Sequence, residues 1–168
     1  NKRQAIRPDM AQTISLQKQQ AEKDIQELSG HLANPRMQVY KRSVIMGKLA
    51  ESYKILGDTD MMCTTCREMI DMIKSRRKEL SGIDPKRVSA TMYWFHRSHA
   101  LLAPYSFQHF LICMEWNYPP SMKFYANRIC VMGDWACKLQ DLEEGNLDLL
   151  GLSAPPRTGK SGIGELFL

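Results

Sequence analysis

Long apolar runs are what this 168-residue sequence most clearly lacks. A transmembrane helix needs about 20 consecutive apolar residues, and no window reaches that length, so we expect no membrane partner. The first residues, Asn1-Lys2-Arg3-Gln4, are followed by no apolar core, so a secretory signal peptide is not predicted. We therefore expect a protein that is not secreted.

A paired set of cysteines is also lacking. The five cysteines are Cys63, Cys66, Cys113, Cys130 and Cys137. Their odd number and scattered spacing indicate no disulfide framework, and a reducing cytoplasm is the simpler compartment. Cys63 and Cys66 have the spacing of metal ligands, but a structural zinc site takes four ligands, and the nearest candidates, His96 and His99, do not match that spacing. We interpret both cysteines as helix packing, with a zinc site and a redox pair as alternatives.

Strong compositional bias is absent as well. Hydrophobic residues make up 43% and charged residues 24% of the chain, which is typical of globular proteins and argues against general disorder. The net charge is +5 and the isoelectric point is about 9.0. This moderate positive charge suits DNA, RNA or nucleotide as a partner without requiring one.

Helical patterns fill residues 1–92. Residues 1–34 predict a polar helix that ends at Asn34-Pro35, either solvated alone or half of a coiled or bundled pair. Residues 36–80 predict a helical hairpin whose turn is Gly57-Asp58-Thr59-Asp60, with Asp58 or Asp60 as the cap of the second helix. The basic run Lys74-Ser75-Arg76-Arg77-Lys78 suits a solvated helix C-terminus, and phosphate contact is the alternative.

Further helices are predicted up to residue 143. Asp84 and Pro85 are a typical N-cap and first helical residue. The apolar stretch 88–115, broken near Ala103-Pro104, predicts the main buried layer, and residues 121–143 predict another helix after Pro119-Pro120. The tryptophans at 94, 116 and 135 are interpreted as core residues rather than base-stacking platforms. We interpret His96 and His99 as helix-surface residues, because no nucleophile is spaced to them.

One short apolar run, residues 147–153, predicts a buried strand of a parallel sheet. The loop Ala154-Pro155-Pro156-Arg157-Thr158-Gly159-Lys160-Ser161 follows it. A phosphate-binding loop connects a strand to a helix, so that backbone N–H groups and the helix dipole face the phosphates. The usual pattern is Gly, four free residues and Gly-Lys-Ser/Thr, and here Ala154 replaces the first Gly.

The loop predicts the binding of ATP with Mg²⁺. Gly159 lets the backbone approach the β-phosphate, Lys160 reaches the β- and γ-phosphates, and the Ser161 hydroxyl is the predicted Mg²⁺ ligand. The remaining loop residues, Ala154, Pro155, Pro156, Arg157 and Thr158, complete the predicted nucleotide-binding set.

The segment Pro-Pro-Arg-Thr-Gly-Lys-Ser resembles the variant Walker A loop of the large terminase subunit of tailed bacteriophages, in which an Arg is common and the first Gly is often replaced. The resemblance covers about residues 93–168. Its further segments are Phe110-Leu111-Ile112-Cys113-Met114-Glu115-Trp116, Pro119-Pro120, Lys123-Phe124-Tyr125 with Arg128, and Leu139-Gln140-Asp141-Leu142-Glu143-Glu144-Gly145.

The resemblance implies an ATP-driven motor that pumps double-stranded DNA into procapsids in the cytoplasm of a bacterial host. It implies a portal protein and a small terminase subunit as partners, and a separate nuclease domain. It makes Arg157 and Lys160 the catalytic candidates, Arg157 acting on the γ-phosphate in cis. Tyr125 and Arg128 lie where the segment before the loop often meets adenine.

The fold prediction is a mainly α protein, in which a helical N-terminal region leads into the first strand and phosphate-binding loop of a truncated α/β P-loop NTPase domain. Residues 1–92 are the predicted helical lead-in and 93–168 the start of the ATPase domain. Both chain ends look cut, and the later Mg²⁺-binding carboxylates, the coupling motif and the nuclease cluster are expected beyond Leu168. We therefore expect this chain alone to be inactive.

Two alternatives stay open. The loop also suits another P-loop ATPase of the helicase or partition type, and a nuclease-type acidic cluster in a longer parent protein would favour the terminase. The third possibility is a non-enzymatic helical module in which residues 1–92 bind a partner subunit or DNA.

Overall fold

The computed structural model describes residues 8–153 and 160–167, with side chains placed for residues 12–153 and 161–167. Across these ranges the chain is mainly helical and contains no strand, which confirms the mainly α prediction. The α-helices are α1 (Pro8–Leu32), α2 (Val39–Leu56), α3 (Thr59–Ser75), α4 (Pro85–Leu102), α5 (Phe107–Met114), α6 (Ile129–Glu143) and α7 (Lys160–Phe167). None of the described helices is both long and apolar enough to span a membrane.

The chain divides into two compact units, Asn1–Leu101 and Leu102–Leu168. The division at residue 92 that the sequence suggests lies inside α4, and it stays a prediction. Each unit has its own hydrophobic core.

In the first unit, α2 and α3 pack against each other across a tight turn. Gly57 ends α2 in the left-handed region at φ 81°, where glycine meets no Cβ penalty. The Asp58 carboxylate then accepts the Met61 N–H at 3.0 Å, so Asp58, of the two candidates, caps α3. The predicted turn between α2 and α3 is therefore confirmed, with Asp58 as the cap.

The core of the first unit is formed by Val39, Met46, Met69 and Ile73, with Trp94 and Phe95 of α4 packed around it among other residues. His99, one turn after Phe95, is 1% exposed, and its ring meets the Phe95 ring edge-on at 4.8 Å. The prediction that His99 lies on a helix surface is therefore wrong. The i, i+4 spacing of an α-helix places it on the same face as Phe95.

The core of the second unit is formed by Leu111, Tyr125, Met132, Ala136, Leu139 and Ile163. The predicted single helix over 121–143 is wrong, because α6 begins only at Ile129 and two 3-10 turns, Pro120–Met122 and Ala126–Arg128, precede it. The helix starts late because the N–H groups of residues 124–126 donate to the Glu115 carboxylate rather than to the carbonyl groups of a preceding helical turn.

The strand predicted at 147–153 is not observed. These residues adopt neither strand nor helix, and the Leu149 side chain is 87% exposed. A strand needs a hydrogen-bonded neighbour, and no other strand occurs in residues 8–153 or 160–167. The apolar composition of the run is thus not sufficient to form a strand here.

Candidate functional site

The Gly-Lys-Ser sequence coincides with the start of α7. Residues 154–159, which include Arg157 and Gly159, lie outside the described part of the chain, and α7 begins at Lys160. Ser161 is exposed in the first helical turn. The first N–H groups of a helix have no intrahelical acceptor and carry the positive end of its dipole, so α7 provides the helix start that a phosphate loop requires.

Two side chains fix α7 on the second unit. Ile163 is 1% exposed and belongs to the core with Leu111, Tyr125 and Met132. Near the end of the helix, the Phe167 and Phe107 rings meet edge-on with centroids 5.4 Å apart. The start of α7 is therefore held by packing at positions three and seven residues after Lys160.

A buried carboxylate organises the neighbouring segment. Glu115, directly after α5, is 9% exposed. Its carboxylate accepts the N–H of Phe124 at 2.7 Å, the N–H of Tyr125, and the N–H of Ala126 at 2.9 Å. Hydrogen bonds to an ionised acceptor are stronger than neutral ones, and a carboxylate here compensates three otherwise unpaired donors. Glu115 thus fixes the backbone between α5 and α6.

Tyr125 is held inside the core by this arrangement. Its side chain is 2% exposed, and its buried hydroxyl has no hydrogen-bond partner of acceptable geometry among the described residues. Burial raises the pKa of Tyr125 to about 12, while the nearby Gln108 amide acts in the opposite direction. The ring is therefore a core element that presents almost no surface for stacking on a base.

Arg128 lies on the surface of the same segment. Its guanidinium lies 4.3 Å from the centroid of the Phe124 ring and donates to the Phe124 carbonyl oxygen at 3.2 Å. The residue is exposed, so its remaining donors face solvent. Of the two predicted adenine contacts, Arg128 has the accessible polar group and Tyr125 does not.

A cavity of about 180 Å³ lies between these elements. Its walls come from the end of α5, the segment held by Glu115, and α7 near Gly162. Tyr125 lines it, whereas Arg128 does not. The structure therefore brings Tyr125 and the start of α7 to one small, mainly apolar cavity and leaves Arg128 outside it.

Glu115 is the residue of this site that the sequence interpretation missed. A signal was present: it is the one acidic residue in the apolar run 110–116. Acidic side chains are rarely buried without partners, so its position between apolar neighbours indicated a specific hydrogen-bonding role.

The cysteine pair Cys63 and Cys66 lies in α3 of the first unit. Cys63 and Cys66 are buried, and burial raises the pKa of Cys66 to about 11. Such a thiol is protonated and unreactive at neutral pH. Within the described ranges, no group of three or more His, Cys, Asp or Glu side chains is placed to hold a metal ion. These facts favour the packing interpretation over the zinc or redox alternatives.

In comparisons with protein-family models, curated proteins and solved structures, the chain matches none of them. The terminase resemblance therefore depends on the loop and the upstream segments quoted above.

Proposed function

We propose that the chain carries the ATP-binding loop of a DNA-packaging motor of the terminase large-subunit type. The observation that carries the proposal is that α7 begins at Lys160, the lysine of the Gly-Lys-Ser sequence. Phosphate binding by a Gly-Lys-Ser loop requires a helix that starts there.

In this proposal, backbone N–H groups of the loop and the first turn of α7 bind the phosphates of ATP. Lys160 neutralises the β- and γ-phosphates, and Arg157 acts on the γ-phosphate. Ser161 supplies one hydroxyl ligand to Mg²⁺, which when bound would neutralise phosphate charge. The exposure of Ser161 fits that role. Of the two predicted adenine contacts, only Arg128 stays in the proposal, because Tyr125 is buried in the core.

The proposed substrate of the motor is double-stranded DNA, and the portal protein and small terminase subunit are its proposed partners. Another P-loop ATPase of the helicase or partition type is the second candidate, because a helix that starts at Gly-Lys-Ser suits every member of that class. What favours the terminase is the Arg-containing loop together with the upstream segments from residue 110.

Nucleotide binding is the first test. A fluorescent ATP analogue is titrated into the 168-residue chain with Mg²⁺, and we expect saturable binding. Lys160→Ala removes a charged phosphate contact and should weaken binding roughly thirtyfold, or about 2 kcal/mol. The matched control is Lys86→Ala at an exposed position of α4, which should leave the affinity unchanged. Equal affinities for the two variants would refute the proposal.

Hydrolysis is a separate question. The carboxylates that hold Mg²⁺ and position water in such enzymes were not recognised in the sequence. We therefore expect no ATP turnover by this chain in a phosphate-release assay. Mg²⁺-dependent turnover that Lys160→Ala abolishes would contradict this expectation.

A further inference from the structure

A second and larger cavity, of about 890 Å³, lies in the first unit at the end of α3. Its apolar wall includes Ile73 of α3, Leu80 of the following 3-10 turn, and Val88, Met92 and Phe95 of α4. The three α4 residues are spaced i, i+4 and i+7, so they form one stripe along the helix. Val88, Met92 and Phe95 are each half-buried. The cavity is therefore an apolar groove that continues the core to the surface.

Basic side chains stand at the edge of this groove. Lys74, Arg77 and Lys78 line it and are exposed. In the part of the chain that the structure describes, none of the three takes part in an ion pair. Their charges are thus available to a ligand.

The acidic residue next to these cations in the sequence is already engaged. Glu79 pairs with Arg76 at 2.6 Å, and the hydrogen bond from Arg76 lowers the pKa of the Glu79 carboxyl. Arg76 in turn donates to the Met37 carbonyl oxygen at 3.3 Å. Because this pair is self-neutralising, the edge of the groove keeps a net positive charge from Lys74, Arg77 and Lys78.

We propose that this groove binds an amphipathic helix of a partner protein that carries acidic residues beside its apolar face. An amphipathic helix places apolar side chains at i, i+3, i+4 and i+7 into such a groove, and flanking carboxylates complement the cationic edge. The proposal is independent of the nucleotide loop.

Duplex DNA fits the groove less well. A phosphate backbone would use Lys74, Arg77 and Lys78 but would leave the apolar stripe of α4 uncovered. Burial of apolar surface is the larger source of affinity in helix-in-groove complexes. The combination of stripe and cations therefore favours a protein helix over DNA.

The test uses the full 168-residue chain and a fluorescein-labelled helical peptide with leucine along one face and glutamate along the other. Fluorescence anisotropy should show saturable binding. Arg77→Glu/Lys78→Glu should weaken it about tenfold or more through charge repulsion. Met92→Ser should weaken it about tenfold through lost apolar contact. The matched control, Lys41→Glu/Lys48→Glu, reverses two exposed charges on α2 and should leave binding unchanged.

Two further measurements keep the outcome decisive. Far-UV circular dichroism must show that each variant is folded, and peptide-induced amide shifts in wild-type protein must map to residues 73–95 if the proposal is correct. The proposal fails if the peptide does not saturate, if a peptide with serine in place of leucine binds equally well, or if the shifts map elsewhere. DNA binding gives the last criterion. The proposal fails if duplex DNA binds at this surface, if Arg77→Glu/Lys78→Glu abolishes that DNA binding, and if Met92→Ser leaves it unchanged. The edge of the groove would then be a phosphate contact.

Discussion

In residues 1–101, long helices meet along apolar faces, whereas in residues 102–168 short helices and 3-10 turns are joined through a buried carboxylate. The core of the first unit uses methionine, valine and isoleucine side chains with two aromatic rings of α4. In the second unit, Glu115 supplies hydrogen bonds to three consecutive backbone N–H groups. Both units have a hydrophobic core, and the second adds a polar centre at Glu115 that fixes the backbone between α5 and α6.

The strongest test of this comparison is Glu115→Ala. The substitution leaves one buried and two part-buried N–H groups without their acceptor, so we expect the second unit to lose about 3 kcal/mol of stability. The control is Glu143→Ala at an exposed position, with an expected change near zero. Urea unfolding and amide hydrogen exchange at residues 124–126 measure the effect. If both variants lost the same free energy of unfolding, Glu115 would have no special role in stabilising the second unit.

The corresponding test of packing in the first unit is Gly47→Ala. A Cβ at Gly47 would overlap the Trp94 ring, so helix α2 must shift or the ring must leave its place, at a cost of about 2 kcal/mol. At Gly30, in α1, an added Cβ meets no atom within 4 Å. Gly30→Ala should therefore stabilise the helix by about 0.5 kcal/mol. Thermal unfolding followed by tryptophan fluorescence should move in opposite directions for the two variants.

A smaller effect is expected at the turn between α2 and α3. Asp58→Ala removes the acceptor of the Met61 N–H and should cost about 1 kcal/mol. Asp60→Ala, at an exposed position of the first turn of α3, loses only the dipole interaction and should cost less. Chemical unfolding of the two variants compares them directly, and a larger loss at Asp60 would show that the cap is misassigned.

The smallest effect concerns Tyr125. Because its hydroxyl is buried and lacks a partner among the described residues, Tyr125→Phe should change stability at neutral pH by less than about 1 kcal/mol and in the stabilising direction. The pKa of Tyr125 is raised from 10.0 to about 12, so folding favours the protonated phenol. Ionisation of Tyr125 therefore leaves the free energy of unfolding unchanged below pH 10 and lowers it as the pH rises from 10 through 12.

Ultraviolet titration checks the pH effect. One of the six tyrosines should ionise near pH 12, and Tyr125→Phe should remove that step and reduce the alkaline loss of stability. A titration in which all tyrosines ionise near 10 would show that Tyr125 is solvated, and it would weaken the description of the second unit's core.

Local signals in the sequence predicted the parts of the fold that depend on neighbouring residues. Gly57 and Asp58 marked the turn before α3, and Asp84-Pro85 marked the start of α4. The late start of α6 was not predictable from such signals, because it depends on Glu115 binding backbone groups nine to eleven residues away. His99 was misplaced for a related reason, since a polar side chain can be buried when its helix face is apolar.

The nucleotide-binding role of the candidate site stays a prediction. The loop pattern calls for a helix after it, and α7 begins at Lys160. The strand at 147–153 could not be settled from composition, since strand formation depends on a partner elsewhere. The burial of Tyr125 could not be predicted either, because nothing in Lys123-Phe124-Tyr125 indicates which of the two aromatic rings is buried.

The distribution of thiols gives the two units different chemical reactivity. Cys63 and Cys66 are buried in the first unit, whereas Cys130 and Cys137 are exposed on α6. A maleimide dye at neutral pH should therefore label the second unit selectively, without any mutation. Because seven residue steps along α6 place Cys137 about 10 Å from Cys130, the two cannot form a disulfide with each other. Air oxidation of the native protein should instead produce covalent dimers joined through α6.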